Sequence, residues 1–114
     1  MNPNRLEHRL SPEERDFFET QGYLVINDAL DPGMNERLLS VVDRIDARER
    51  NEANRGKLLS VTNVIQEDPA MVDLIDWPTT FPKIWGILGW NIYLYHSHVD
   101  VTPPADEQAL TWRV

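Results

Sequence analysis

The sequence contains no cysteine, which removes a disulfide framework, a thiolate metal site and a cysteine nucleophile at once. Any chemistry falls to His, Asp, Glu and Ser, and the expected compartment is cytoplasmic. Cationic side chains are scarce: eleven Lys and Arg stand against nineteen Asp and Glu, giving a net charge of -8. A nucleic-acid partner is therefore not expected, because phosphate-backbone binding needs an accessible cationic surface. No window approaches the roughly 18 apolar residues of a membrane span. Met1 to Leu10 is polar and charged, unlike the apolar stretch of a signal peptide, so neither membrane insertion nor export is expected. Glycine is limited to five residues, and Gly86 and Gly89 lack the Gly-rich strand-to-helix turn and lysine of a phosphate loop. No internal repeat or low-complexity tract is present.

A hydrophobic fraction of 41% in 114 residues suits one small domain, 1–114. Ser11-Pro12-Glu13-Glu14 reads as a helix start, with Ser11 as cap, Pro12 at the first position and Glu14 completing a capping box. That helix should end at Gly22, followed by a short strand over Tyr23 to Ile26. Asp31-Pro32 repeats the start signal. Met34, Leu38, Val41, Val42 and Ile45 then recur at helical spacing, predicting an amphipathic helix from about Pro32 to Arg50. Asn51 to Lys57 reads as a solvated connection, and Leu58 to Ile65 as either strand or extended loop. Asp68-Pro69 opens a short helix ending near Asp76, and Thr80-Phe81-Pro82 opens another that carries Ile84, Trp85, Ile87 and Leu88 and closes at Gly89. The charges from Asp43 to Arg50 read as a solvated helix face. Trp77, Trp85 and Trp90 read as core packing rather than a ligand platform.

Ile92 to Val101 has the period of an extended strand, which puts Leu94, His96, His98 and Asp100 on one side. Tyr93, Tyr95, Ser97, Val99 and Val101 share the other. After Pro103-Pro104, Ala109 to Val114 reads as the start of a further strand. His96-x-His98-x-Asp100 is the densest group of chemical side chains in the sequence. Two imidazoles and a carboxylate are the donor types of Zn²⁺ and nonhaem Fe²⁺ centres. Ordinary hydrogen-bonded histidines lining a polar pocket account for the same pattern, and composition leaves both readings open.

The order of these signals resembles the phytanoyl-CoA dioxygenase family. The resemblance rests on the Leu10-Ser11-Pro12-Glu13-Glu14 helix start, Phe18-x-x-x-Gly22-Tyr23-Leu24-Val25-Ile26, the long amphipathic helix, and Ile87 to His98 followed by Pro103-Pro104. It implies an α+β chain in which N-terminal helices pack on the first strands of an incomplete double-stranded β-helix, or jelly roll. It also implies an oxidoreductase, a dioxygenase that uses Fe(II) and 2-oxoglutarate to hydroxylate a small organic substrate. In the family an iron-ligating His-x-Asp follows the proline loop, and a second His and a basic residue come later. This chain reaches Val114 before such a motif, so the expectation is an N-terminal segment that is inactive alone and binds neither cofactor tightly. His98-Val99-Asp100 imitates the spacing but precedes Pro103-Pro104, so no metal ligand and no catalytic residue is assigned. His98 matches a position that contacts 2-oxoglutarate, with His96 and Leu94 lining the same pocket. Only three or four strands are expected against the about eight of a jelly roll, which leaves an edge through which the chain can self-associate.

Two other readings remain. His96-x-His98-x-Asp100 resembles the core of the metallo-β-lactamase His-x-His-x-Asp-His motif, with Val101 in place of its last histidine, which implies a zinc-dependent hydrolase. A noncatalytic interaction module would use the open sheet edge for strand addition.

Overall fold

The computed structural model describes residues 3–103. A 3-10 turn, Pro3–His8, precedes the first helix. Ser11 Oγ accepts the Glu14 amide at 3.1 Å, while the Ser11 amide donates to Glu14 Oε1 at 3.0 Å, closing the capping box. Helix α1 then runs Pro12–Gln21 and stops at Gly22, whose φ of 79° is in the left-handed region. Asp31 Oδ1 accepts the Met34 amide at 2.7 Å and opens α2, Pro32–Glu49, with Arg50 as its C-cap. Asp68 caps α3, Pro69–Asp73, through a 2.9 Å bond from the Ala70 amide. This helix is shorter than the expected end at Asp76, because residues 74–76 continue as turns. Helix α4, Phe81–Leu88, begins without a side-chain cap and ends at Gly89, at φ 81°.

Strand β1, Leu59–Thr62, pairs antiparallel with β2, His98–Val101, so that Leu59 faces Val101, Val61 faces Val99 and Thr62 faces His98. The undecided stretch from Leu58 thus becomes a strand followed by a 3-10 turn, Val64–Gln66. Two expectations are corrected. Tyr23 to Ile26 is not a strand: exposed Tyr23 and Val25 alternate with half-buried Leu24 and Ile26, but no described segment forms a ladder with them. The strand expected over Ile92 to Val101 contracts to its last four residues. The reason lies in its partner. β1 ends where Asn63 adopts φ 58° and turns the chain away, so the ladder stops at His98 and, among the described residues, no strand pairs with 92–97. Among the described residues the sheet has two strands rather than three or four, and the strand expected over Ala109 to Val114 lies outside them. The architecture is α+β.

Val41 and Ile45 of α2 form the core with Val64 and Met71, and Leu38, Val61, Leu74 and Val99 pack against it. Alternation along the sheet turns Val61 and Val99 toward α2 and leaves Ser60, Thr62, His98 and Asp100 exposed. Arg50 ties the end of α2 to the sheet: its guanidinium donates to Lys57 O at 2.6 Å, Asn54 O at 2.8 Å and Val101 O at 3.3 Å, and pairs with Asp46. The α2 charges are thus not all a plain solvated face. Arg48 also forms a two-pronged bond to Glu67, both arms 2.8 Å, whose guanidinium holds the Glu67 carboxyl below its ordinary range.

Helix α4 packs against the residues that lead into α1 and is tied to α1 by side-chain bonds. A Cβ on Gly86 would approach the Leu10 side chain to 2.7 Å, and Arg15 donates to Gly86 O at 2.8 Å. Lys83 Nζ sits 2.7 Å from Glu14 Oε1, and that hydrogen bond holds the Glu14 carboxyl below its ordinary range against a smaller opposing effect of burial. Trp77 is half-buried and donates to Ala29 O at 2.7 Å, and Thr79 donates to the same carbonyl. Trp90 departs from the core reading. It follows the end of α4 and stays 68% exposed, with one contact of its ring against half-buried Trp85 at 5.0 Å.

Candidate functional site

The chain between α4 and β2 carries the candidate residues. Ser97 fixes its far end: its carbonyl accepts the Asn63 amide at 2.8 Å and its Oγ accepts the Ile65 amide at 3.3 Å. Those two bonds hold the approach to β2 against the 3-10 turn. His96 and His98, two residues apart, then project side by side, with ring centroids 5.0 Å apart and planes only 9° from parallel. Tyr95 meets the His96 ring edge-on at 5.1 Å. Asp100 lies on the same side, its Oδ2 3.9 Å from His98 Nε2.

A cavity of about 840 Å³ takes in this segment. Leu94, His96 and His98 all line it, so the three residues singled out for cofactor contact are brought together. The two-sided division does not carry through residues 93–97: Tyr93, Ser97 and Val99 also line the cavity, which therefore touches both sides of the chain as it enters β2. The rest of the wall comes from helices, including Leu38 and Val42 of α2, Met71 of α3, and Phe81, Ile84 and Leu88 of α4. Sequence reasoning assigned Leu38, Val42, Ile84 and Leu88 to apolar helix stripes. It gave no signal that those stripes meet around one space.

The wall is mostly apolar, with its polar donors concentrated at His96, Ser97 and His98. Because Ser97 Oγ accepts from Ile65, its hydroxyl proton is left to donate. Two imidazoles and a hydroxyl suit one carboxylate. A second carboxylate, as 2-oxoglutarate carries, would need a further donor, and no Lys or Arg of the described residues lines the cavity. Iron fits less well. Among the described residues no three of His, Cys, Asp and Glu come together as a metal-holding group. His8, the third histidine of the sequence, lies in the N-terminal 3-10 turn with Nε2 3.2 Å from Glu7 Oε1.

No protein-family profile, no characterised protein and no solved structure matches the chain. No helix among the described residues is long and apolar enough to cross a membrane.

Proposed function

We propose that this chain forms the cosubstrate-facing wall of an Fe(II)- and 2-oxoglutarate-dependent oxygenase resembling the phytanoyl-CoA dioxygenases. The observation that supports it is the meeting of Leu94, His96 and His98 in one apolar cavity, with the two imidazoles side by side. In this reading the imidazoles and the Ser97 hydroxyl orient one carboxylate of 2-oxoglutarate, and Leu94 packs on its carbon chain. The apolar helix faces exclude water around a small organic substrate. β1 and β2 are the first strands of a jelly roll, and α2 covers their inner face. Iron, when bound, supplies oxygen activation coupled to decarboxylation of 2-oxoglutarate to succinate. Its ligands are not among the described residues, so no step is assigned to this chain through the metal.

The test is the KM for 2-oxoglutarate in the protein as its gene encodes it. His98→Ala should raise that KM by about tenfold, the effect of losing one charge-assisted hydrogen bond, while Fe(II) affinity changes little. Loss of metal with unchanged cosubstrate binding would instead favour a zinc-dependent hydrolase using His96, His98 and Asp100.

A further inference from the structure

His96 and His98 have the arrangement of a two-donor chelate, independent of any iron centre. Both are exposed, so each ring can rotate about its side-chain bonds without moving the backbone. Their ring centroids are 5.0 Å apart, so rotation of the two rings can bring one nitrogen of each to the roughly 3–4 Å separation set by bonds of about 2.0–2.1 Å to a shared ion. Because each nitrogen lone pair lies in its ring plane, both rings must turn out of the stacked arrangement to aim at one ion at their edge. Ser97, between them in sequence, is held by two hydrogen bonds, which limits the entropy lost on closing the chelate.

No fixed cation of the described residues opposes a metal ion at this place. No Lys or Arg of the described residues lines the adjoining cavity, and the chain carries a net charge of -8. The Asp100 carboxylate, with Oδ2 3.9 Å from His98 Nε2, adds a negative charge beside the pair. From these observations we propose that His96 and His98 bind one borderline divalent transition-metal ion, with water completing its coordination. Imidazole donors follow the order of increasing affinity from Fe²⁺ through Co²⁺ and Ni²⁺ to Cu²⁺, with Zn²⁺ below Cu²⁺. Cu²⁺ is therefore the strongest occupant, and Fe²⁺ is disfavoured. An ion held there occupies the same imidazoles that the oxygenase reading gives to a carboxylate, so it would act as an inhibitor of such an enzyme.

The experiment is a Cu²⁺ titration of the 114-residue chain at neutral pH, followed by calorimetry and by paramagnetic broadening of the imidazole proton resonances. The expected result is one Cu²⁺ per chain, with His96 and His98 broadened at substoichiometric metal and His8 spared. His96→Ala and His98→Ala each remove one of the two protein donors and should weaken binding by about tenfold or more, about 1.4 kcal/mol per decade. His8→Ala should leave the isotherm unchanged, and circular dichroism of each variant checks that the fold is kept. Absence of saturable binding would overturn the proposal. So would an isotherm that depends on His8 or persists in the His96→Ala/His98→Ala double variant. Because 2-oxoglutarate is absent throughout, failure here removes this metal site and leaves the oxygenase reading to its own KM test.

Discussion

Ile45 is fully buried at the centre of α2, in one cluster with Val41, Val64 and Met71. Truncating it leaves a cavity in a core of few residues, so Ile45→Ala should lower the unfolding free energy by about 2–5 kcal/mol and Ile45→Val by about 1 kcal/mol. Urea unfolding at equilibrium reads both. Gly22 acts differently. A Cβ there would meet open space, but the φ of 79° is unfavourable for any residue with a side chain. Gly22→Ala should therefore cost about 1 kcal/mol through the backbone alone. Both positions were legible in the sequence because their roles are local: Ile45 stands on a 3.6-residue stripe, and Gly22 ends a capped helix. Arg50 was not. Its acceptors Asn54, Lys57 and Val101 meet only after the turn and the sheet have formed, so in sequence it looks like one more surface charge.

At the scale of elements, helix starts were readable and strand lengths were not. Ser11, Asp31 and Asp68 each satisfy an amide within three residues, so their information is written in consecutive sequence. A strand depends on a partner far along the chain. Four residues of β1 can support only four of β2, whatever period Ile92 to Val101 displays. The junction of α1 and α4 has an electrostatic consequence. Because the Glu14 carboxyl is held below its ordinary range chiefly by Lys83, its contribution to stability is fully present above the unfolded carboxylate value of about 4.3. It is lost as pH falls through the lowered folded value. The melting temperature should therefore decline with acidification below about pH 5, and Lys83→Met should flatten that decline. At pH 7 the same substitution should cost about 1 kcal/mol. Melting curves for both proteins from pH 7 to pH 3 check this, and parallel profiles would contradict the assignment to Lys83.

Taken whole, the molecule has a small core and a large exposed apolar surface. Tyr93 and Tyr95 are 84% and 83% exposed, and they flank Leu94 in the segment leading to the paired histidines. The α+β class and the adjacency of His96 and His98 were readable from sequence, but one strand face carrying Leu94, His96 and His98 was not, because the strand begins at His98. The cavity was not, because it is bounded by stripes from α2, α3 and α4 whose convergence is tertiary. A facial iron site needs three converging donors, and among the described residues no three of His, Cys, Asp and Glu converge as a metal-holding group. The chain by itself should therefore take up less than one tightly held Fe(II) under anaerobic reconstitution and release no succinate. One iron per chain with succinate release would refute that site assignment. The central claim, that the paired histidines receive a carboxylate of 2-oxoglutarate, is tested most directly by imidazole proton spectra of the 114-residue chain during a 2-oxoglutarate titration without metal. The account predicts saturable shifts at His96 and His98 with His8 unmoved and a reduced response in His98→Ala. Unchanged His96 and His98 resonances at saturating 2-oxoglutarate would contradict it.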